Sequence, residues 1–319
     1  MKKNDFEYIL QLLRKYAGWN LSADNYFLID NKIHNFVCEK GYANSDELVQ
    51  ELRMGQKSIL WQVIEALTLS DTYFFRDYPV FKSFEQIILP RIRETNRSSK
   101  KLRIWSLGCS TGQEAYSIGM SIIDKLHTTS DWNISILGTD ISTPSIAKAQ
   151  KGVYSQFEVQ MGMNIRRIMR HFHKEGAEWV INPEVSDNIK FLRYNLLDKL
   201  SNTEPFDIIF CRYLLGYCTP EKQKELIEKI HSYQVSGGFL YLGLNENIAD
   251  IDKYYNKIDA IPCLYQAKVN NMGNNKSKQV NLDKNHKAMP TLQRPESKKI
   301  YNGNKKRLNA LDDEYKNYM

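Results

Sequence analysis

Leu102-Arg103-Ile104-Trp105-Ser106-Leu107 runs directly into Gly108-Cys109-Ser110-Thr111-Gly112-Gln113-Glu114. The first six residues form a short apolar run of strand type. The small residues after them predict a turn, and a helical pattern follows over about 113–127. Small residues at such a junction let a ligand approach the backbone, and the helix N-terminus offers unpaired N–H groups. The stretch is not G-x-G-x-x-G and lacks the lysine of a P-loop. Taken alone, it fits an ordinary strand-to-helix turn as well as a nucleotide cradle.

Further along the chain the same alternation repeats. Ile134–Leu137 reads as a second strand, ending in Gly138-Thr139-Asp140. An acid at that point in a Rossmann-like sheet can accept hydrogen bonds from both ribose hydroxyls. Ser142 or Thr143, before Pro144, is the better cap for the helix expected over about 144–151, which frees Asp140 for a ligand. Later strands are expected at Ile189–Arg193, Phe206–Cys211 and Gly238–Leu242, with a helix at about 220–233. Alternating strands and helices imply a parallel sheet covered on both faces. Tyr254–Lys268 reads as an antiparallel hairpin at one edge. Between 157 and 188 the alternation breaks into a helical patch with Arg166, Arg167 and Arg170, then a turn at Gly176 and a strand-like Glu178–Ile181, which reads as an insertion. The first turn and Asp140 together indicate an adenosine-containing ligand without separating S-adenosylmethionine from a dinucleotide.

Before residue 70 no segment alternates like a strand. Helical patterns cover about 4–16, 23–40, 45–54 and 57–69, the first with Phe6, Ile9, Leu10, Leu13 and Ala17 on one face. Asn4 and Glu7 are spaced as a capping box. The N-terminal part is thus expected to be all helical. The run Leu67-Thr68-Leu69-Ser70-Asp71-Thr72-Tyr73-Phe74-Phe75-Arg76-Asp77 joins it to the sheet, where an enzyme cleft would lie.

Charge is unevenly placed. The net charge is +7, and from Lys268 onward there are 12 Lys/Arg against 5 Asp/Glu, so residues 1–267 are balanced. A nucleic-acid enzyme usually carries its basic footprint on the folded surface, so this distribution argues against DNA or RNA as substrate. The segment after about 270, rich in Asn, Lys and Gln, is expected to be disordered, with a weak helix at 305–318. The five cysteines, at 38, 109, 211, 218 and 263, have neither metal-ligand spacing nor an even count, which favours a reducing compartment. Met1-Lys2-Lys3-Asn4-Asp5 has no apolar signal core, and no apolar run has the length of a membrane span, so a cytoplasmic protein is expected. His171-Phe172-His173 lacks a third ligand nearby, and no metal is expected.

The run from Leu67 to Asp77 resembles the T-x-N-x-T-x-F-F-R signature of the chemotaxis receptor methyltransferase (CheR) family, and the resemblance continues in order. Residues 105–118 resemble its S-x-G-C-S-T-G-E-E-P-Y-S-I. Gly138-Thr139-Asp140-Ile141-Ser142 resembles A-T-D-I-D, followed by Ala147, Gln150, Gly152 and Tyr154. Asn195-Leu196-Leu197 resembles N-L-L, and Pro205–Arg212 resembles P-F-D-x-I-F-C-R. The resemblance spans about residues 6 to 267.

It implies a class I S-adenosylmethionine methyltransferase, an α/β fold with a Rossmann-like, mostly parallel sheet. The expected division is a receptor-docking helical domain at 1–69, a linker at 70–85, a cofactor-binding domain at 86–267 with an inserted subdomain at about 157–188, and a basic tail at 268–319. The implied cofactor contacts are Ser70, Thr72, Arg76, Gly108, Glu114, Asp140, Asn195, Leu196, Arg212 and Tyr213. Arg76 and Tyr217 are the implied catalytic residues. The implied reaction esterifies glutamates in the cytoplasmic helical region of chemotaxis receptors. The short turn His173–Glu178 suggests an enzyme independent of the receptor-tail pentapeptide that some members bind, and nothing demands more than a monomer. The chain departs from the family pattern at Ser70, at Tyr213 (Asn in the pattern), at Leu244-Asn245 within G-H-S-E, and at Ala115. These departures leave open a cofactor-binding regulatory module without turnover; a methyltransferase on another substrate is the third reading.

Overall fold

The computed structural model describes residues 1–68, 71–125, 131–259, 261 and 263–269. Its centre is a seven-stranded sheet built from β1 (Lys101–Leu107), β2 (Asn133–Asp140), β6 (Ile189–Arg193), β7 (Phe206–Phe210), β8 (Gln234–Tyr241), β9 (Tyr255–Lys257) and β10 (Leu264–Ala267). The strand order is β6-β2-β1-β7-β8-β10-β9. β6, β2, β1, β7 and β8 run parallel, and β10 is antiparallel to both β8 and β9. The β9–β10 pair is the expected edge hairpin. β1 is buried almost throughout, as expected of a central strand with helices on both faces. Trp105 on β1 packs against Phe206 and donates its indole N–H to Thr139 Oγ1 at 2.9 Å.

The register sets the site. Leu107 pairs with Thr139, and Asp140 with Arg193. The carboxyl ends of β1, β2 and β6 therefore lie side by side. Strand order reverses between β1 and β7, the crevice where open α/β sheets bind ligands.

Twelve α-helices are described: α1 (Lys3–Ala17), α2 (Tyr26–Lys40), α3 (Ser45–Arg53), α4 (Lys57–Leu67), α5 (Tyr78–Ser83), α6 (Leu89–Thr95), α7 (Gln113–Lys125), α8 (Thr143–Lys151), α9 (Gln156–Gln160), α10 (Ile165–His171), α11 (Pro183–Ser186) and α12 (Pro220–Ser232). A five-residue π turn, Phe84–Ile88, joins α5 to α6. Helix α8 is capped by Ser142, whose side chain accepts the Ser145 N–H, with Pro144 in the first turn. The capping box expected at Asn4 and Glu7 does not form. Helix α1 begins one residue earlier, at Lys3, behind Lys2, which makes no side-chain cap. The Lys2 carbonyl takes the N–H groups of Asp5 and Phe6, so Asn4 lies inside the helix.

α1–α4 enclose their own apolar core, including Phe6, Ile9, Leu13, Ile33, Leu48 and Ile64, and Ile141 from the end of β2 packs against it. Glu65 of α4 secures this contact: its carboxylate accepts from Thr143 Oγ1 at 2.7 Å and Arg193 Nε at 3.3 Å. Trp61 lies under the Arg193 guanidinium. The helices thus cover the carboxyl ends of β2 and β6.

The interrupted alternation resolves into a second, three-stranded antiparallel sheet of β3 (Val153–Ser155), β4 (Phe172–Glu175) and β5 (Glu178–Ile181), ordered β3-β5-β4. It starts at Val153, ahead of the boundary expected at 157. The reason is local: Gly152, at φ +62°, ends α8 and turns the chain into β3. α9 carries a capping box, Ser155 with Glu158. Among the described residues no helix is long and apolar enough to cross a membrane. The tail expected to be disordered lies outside the described residues from 270 onward.

Candidate active site

The linker shapes the site through what it buries. Phe74 and Phe75 are fully buried. Phe74 packs edge-on against Tyr154 and Phe172, and the Phe75 N–H donates to Ser117 Oγ at 2.9 Å. Phe75 and Asp77 both have left-handed backbone, at φ +54° and +61°. Such conformations cost a non-glycine residue about 1–3 kcal/mol and persist only where surrounding packing enforces them. Here the two phenylalanines supply that packing, and the reversed chain leaves Thr72 and Arg76 lining a cavity over the sheet.

That cavity gathers the residues expected from the sequence. Thr72, Arg76, Gly108, Glu114, Asp140, Asn195, Leu196, Arg212, Tyr213 and Tyr217 all line it. Ser70 lies outside the described residues. Trp19 and Leu21, in the turn after α1, close it from the helical side. The Tyr217 carbonyl accepts the Asn20 N–H at 2.6 Å, tying that turn to the loop after β7.

At the β1–β2 end, Gly108 and Cys109 both donate their N–H groups to the Thr139 carbonyl, at 2.8 and 2.9 Å. Gly108 at φ +75° and Ser110 at φ +48° coil the turn. Asp140 braces it from the next strand, accepting the Ser110 N–H on Oδ2 and the Ser142 N–H on Oδ1, each at 2.9 Å. Roughly half of the carboxylate's acceptor capacity remains for a ligand. Burial raises the Asp140 pKa, and these backbone bonds oppose the rise. Asn195 is similarly committed in part. Its Nδ2 donates to the Tyr16 carbonyl at 2.7 Å and its Oδ1 accepts the Leu197 N–H, so it fastens α1 to the end of β6 while lining the cavity.

At the opposite end Arg212, with its side chain 2% exposed, bridges two acids. Nη1 donates to Glu114 Oε2 at 2.9 Å; Nη2 donates to the Arg76 carbonyl at 2.8 Å and to Asp77 Oδ2. The Glu114 Oε1 accepts from Ser106 Oγ at 2.7 Å. Burial alone would lower the Arg212 pKa, but Glu114 and Asp77 outweigh it and hold the guanidinium charged. Arg76 is more open. It bonds the carbonyl and carboxylate of Asp71, and its guanidinium lies 4.3 Å from the centre of the Tyr213 ring.

Two positions that matter for this geometry were not among the sequence expectations. Asp77 binds both Arg212 and the Tyr213 hydroxyl. Glu246 accepts the N–H groups of Tyr213 and Gly243, each at 2.7 Å, and of Gly216 at 3.3 Å, pinning the loop that carries Tyr217. The Gly243–Glu246 segment, placed just after a strand, was the available signal for the second; the first had none beyond adjacency to Arg76.

Other constellations have structural roles. His171 is buried and pairs with Asp124 at 3.0 Å; His173 pairs with Asn182 and Glu175. Cys109 is buried, and burial pushes its thiol pKa well up, so it holds no reactive thiolate. Lys32, on α2, donates to the Ala66 and Thr68 carbonyls at 3.3 and 2.7 Å. It therefore closes the end of α4 and is not free to meet an acidic partner.

Two buried polar atoms in the cavity wall, Ser110 Oγ and Arg212 Nε, have no hydrogen-bond partner among the described residues. Buried polar groups are normally satisfied. Ser110 Oγ lies beside the free acceptor capacity of Asp140, and Arg212 Nε lies at the opposite end; together they fit a ligand with a ribose and an ionised amino-acid end.

Sequence comparison with known proteins gives the same direction. The family model for the CheR methyltransferase SAM-binding domain matches residues 70–262. Chemotaxis protein methyltransferase 1 of Pseudomonas aeruginosa is 30% identical over 270 residues, covering 83% of this chain and 98% of that protein. Chemotaxis protein methyltransferase Cher2 of Pseudomonas putida is 30% identical over 271 residues, covering 83% and 98%. Among solved structures, the plantazolicin methyltransferase BpumL in complex with SAH matches at 18% identity and a TM-score of 0.31, covering 68% of this chain and 63% of that one.

Proposed function

The chain belongs to the CheR methyltransferase family, and from that premise we propose that it moves methyl groups from S-adenosylmethionine to glutamate side chains of chemotaxis receptors, forming glutamyl 5-O-methyl esters. The observation that carries the reading is one cavity, at the carboxyl ends of β1, β2 and β6, lined by the linker residues Thr72 and Arg76 together with Glu114, Asp140 and Arg212.

When bound, S-adenosylmethionine supplies a sulfonium-activated methyl group. The proposed displacement would form the ester C–O bond at a carboxylate oxygen as the C–S bond breaks, with its electron pair leaving on the sulfur of S-adenosylhomocysteine. A glutamate carboxylate has a reference pKa of about 4.3 and is already ionised at neutral pH, so no strong base is required. Rate enhancement then rests on positioning and electrostatics. Asp140 serves the ribose hydroxyls, and Asn195 and Leu196 flank the adenine. Glu114 meets the amino-acid end from its bond with Arg212. The Arg76 guanidinium orients the incoming carboxylate by paired hydrogen bonds, and the Tyr217 hydroxyl directs it. Tyr217 is 38% exposed, in keeping with a residue that meets a protein substrate at the cavity mouth. Arg76→Ala and Tyr217→Phe are each expected to lower turnover on receptor at least about a hundredfold while the protein stays folded. Unchanged turnover in steady-state assays would remove both from catalysis.

The helical domain, about 1–69, serves as the receptor-docking part; 70–85 is the linker, and 86–267 with its insertion is the catalytic part. We place the protein in the cytoplasm, as a monomer, without a nucleic-acid substrate. The β4–β5 connection is a tight turn at Gly176, supporting action independent of a receptor-tail pentapeptide. Calorimetric titration with such a pentapeptide is expected to give no saturable heat; saturable binding would reverse this point alone.

A further inference from the structure

Tyr213 stands in an unfavourable conformation for its residue type. Its φ is +58°, a left-handed backbone that asparagine tolerates and bulky residues avoid. The family pattern has asparagine here, so an aromatic ring is held at a position where the backbone alone would favour its replacement. Strain that persists in a cavity wall points to a use for the side chain.

Its contacts show what that use is. One face of the ring carries the Arg76 guanidinium at 4.3 Å. The ring also lies so close to Gly243 that a Cβ there would stand 2.6 Å from it, so no side chain fits behind the ring. The hydroxyl donates to Asp77 Oδ2 at 2.5 Å and accepts the Leu244 N–H at 3.2 Å. Tyr213 thus touches the linker, through Arg76 and Asp77, and the loop after β8, through Gly243 and Leu244. Burial, followed by the Asp77 carboxylate, raises the phenol pKa to about 12, so the hydroxyl keeps its proton as a donor.

We infer that Tyr213 is a positioning residue: its ring, held in place by Gly243 and by the contacts of its hydroxyl with Asp77 and Leu244, keeps the Arg76 guanidinium in the cofactor cavity. The inference rests on the methyltransferase reading above and adds to it a residue at which the chain departs from the family pattern. Because Tyr213 acts through Arg76, its effect should vanish when Arg76 is gone.

The test is the dissociation constant of S-adenosylhomocysteine, by calorimetry on the full chain, for the wild type, Tyr213→Phe, Tyr213→Asn, Arg76→Ala and the Arg76→Ala/Tyr213→Asn pair. Tyr213→Phe keeps the ring and should bind within about threefold of wild type. Tyr213→Asn loses the stacking and should bind about tenfold more weakly. Added to Arg76→Ala, it should change affinity by less than about twofold. Tyr213→Gly, equally suited to the backbone, replaces the asparagine variant if that one unfolds. An undiminished loss in the Arg76→Ala background, or wild-type affinity in Tyr213→Asn, would overturn the positioning role. A wild type that binds no S-adenosylhomocysteine would instead overturn the methyltransferase reading, and this role with it.

Discussion

Arg212→Ala is expected to destabilise the protein by about 3–5 kcal/mol and to eliminate measurable cofactor binding, because it strands two acids in a place water barely reaches. The guanidinium is nearly inaccessible and lies between Glu114 and Asp77. Removing it leaves both carboxylates without their cation and releases the Arg76 carbonyl as well. Arg212→Lys keeps a charge but not the planar fork that spans three acceptors, so it should recover only part of the stability. Urea unfolding followed by circular dichroism checks this. A loss below about 1 kcal/mol for the alanine variant would mean that the two acids find other partners or take up protons, and that Arg212 does not bridge linker and sheet.

The second large effect is expected at a glycine. Gly162, in the turn between α9 and α10, has φ +92°, and a Cβ there would lie 1.8 Å from the Phe74 carbonyl oxygen. That neighbour is backbone and cannot swing aside as a flexible side chain would. Gly162→Ala therefore forces apart the inserted subdomain and the linker, at a cost on the order of 3 kcal/mol from backbone strain and overpacking together. Cofactor affinity should fall with stability, since the displaced residue is two positions from both Thr72 and Arg76. The same urea series, with calorimetry against S-adenosylhomocysteine, reads both quantities. Stability within about 0.5 kcal/mol of wild type would show that the turn yields without disturbing Phe74.

How far the sequence foretold this arrangement depended on whether the signal was local. Strands Glu178–Ile181 and Ile189–Arg193 have the bounds their apolar patterns indicated. Helix α8 has the Ser142 cap and early proline its sequence announced. These rest on spacing and capping, which a chain carries in itself. β3 and β4 were not anticipated: Val153-Tyr154-Ser155 and Phe172-His173-Lys174-Glu175 have no apolar run of their own, and they are strands because both pair with β5. The failed capping box at Asn4 has the converse cause. The apolar face of α1, from Phe6 to Ala17, fixes the helix by burial, and tertiary packing overrides a local cap. In the site, motif order brought Thr72, Glu114, Asp140 and Arg212 into view. Asp77 and Glu246 remained hidden because their importance comes from partners 136 and 33 residues away.

The central claim is the chemistry of the transferred methyl group. The most direct measurement is transfer of radiolabelled methyl from S-adenosylmethionine to membranes containing the organism's chemoreceptors, followed by mild alkali. The account predicts label on the receptor band that alkali releases as volatile methanol, the behaviour of a carboxyl methyl ester. Absence of label on the receptors, from a protein that binds the cofactor, would contradict it and favour a cofactor-binding module without turnover or a substrate outside the receptors.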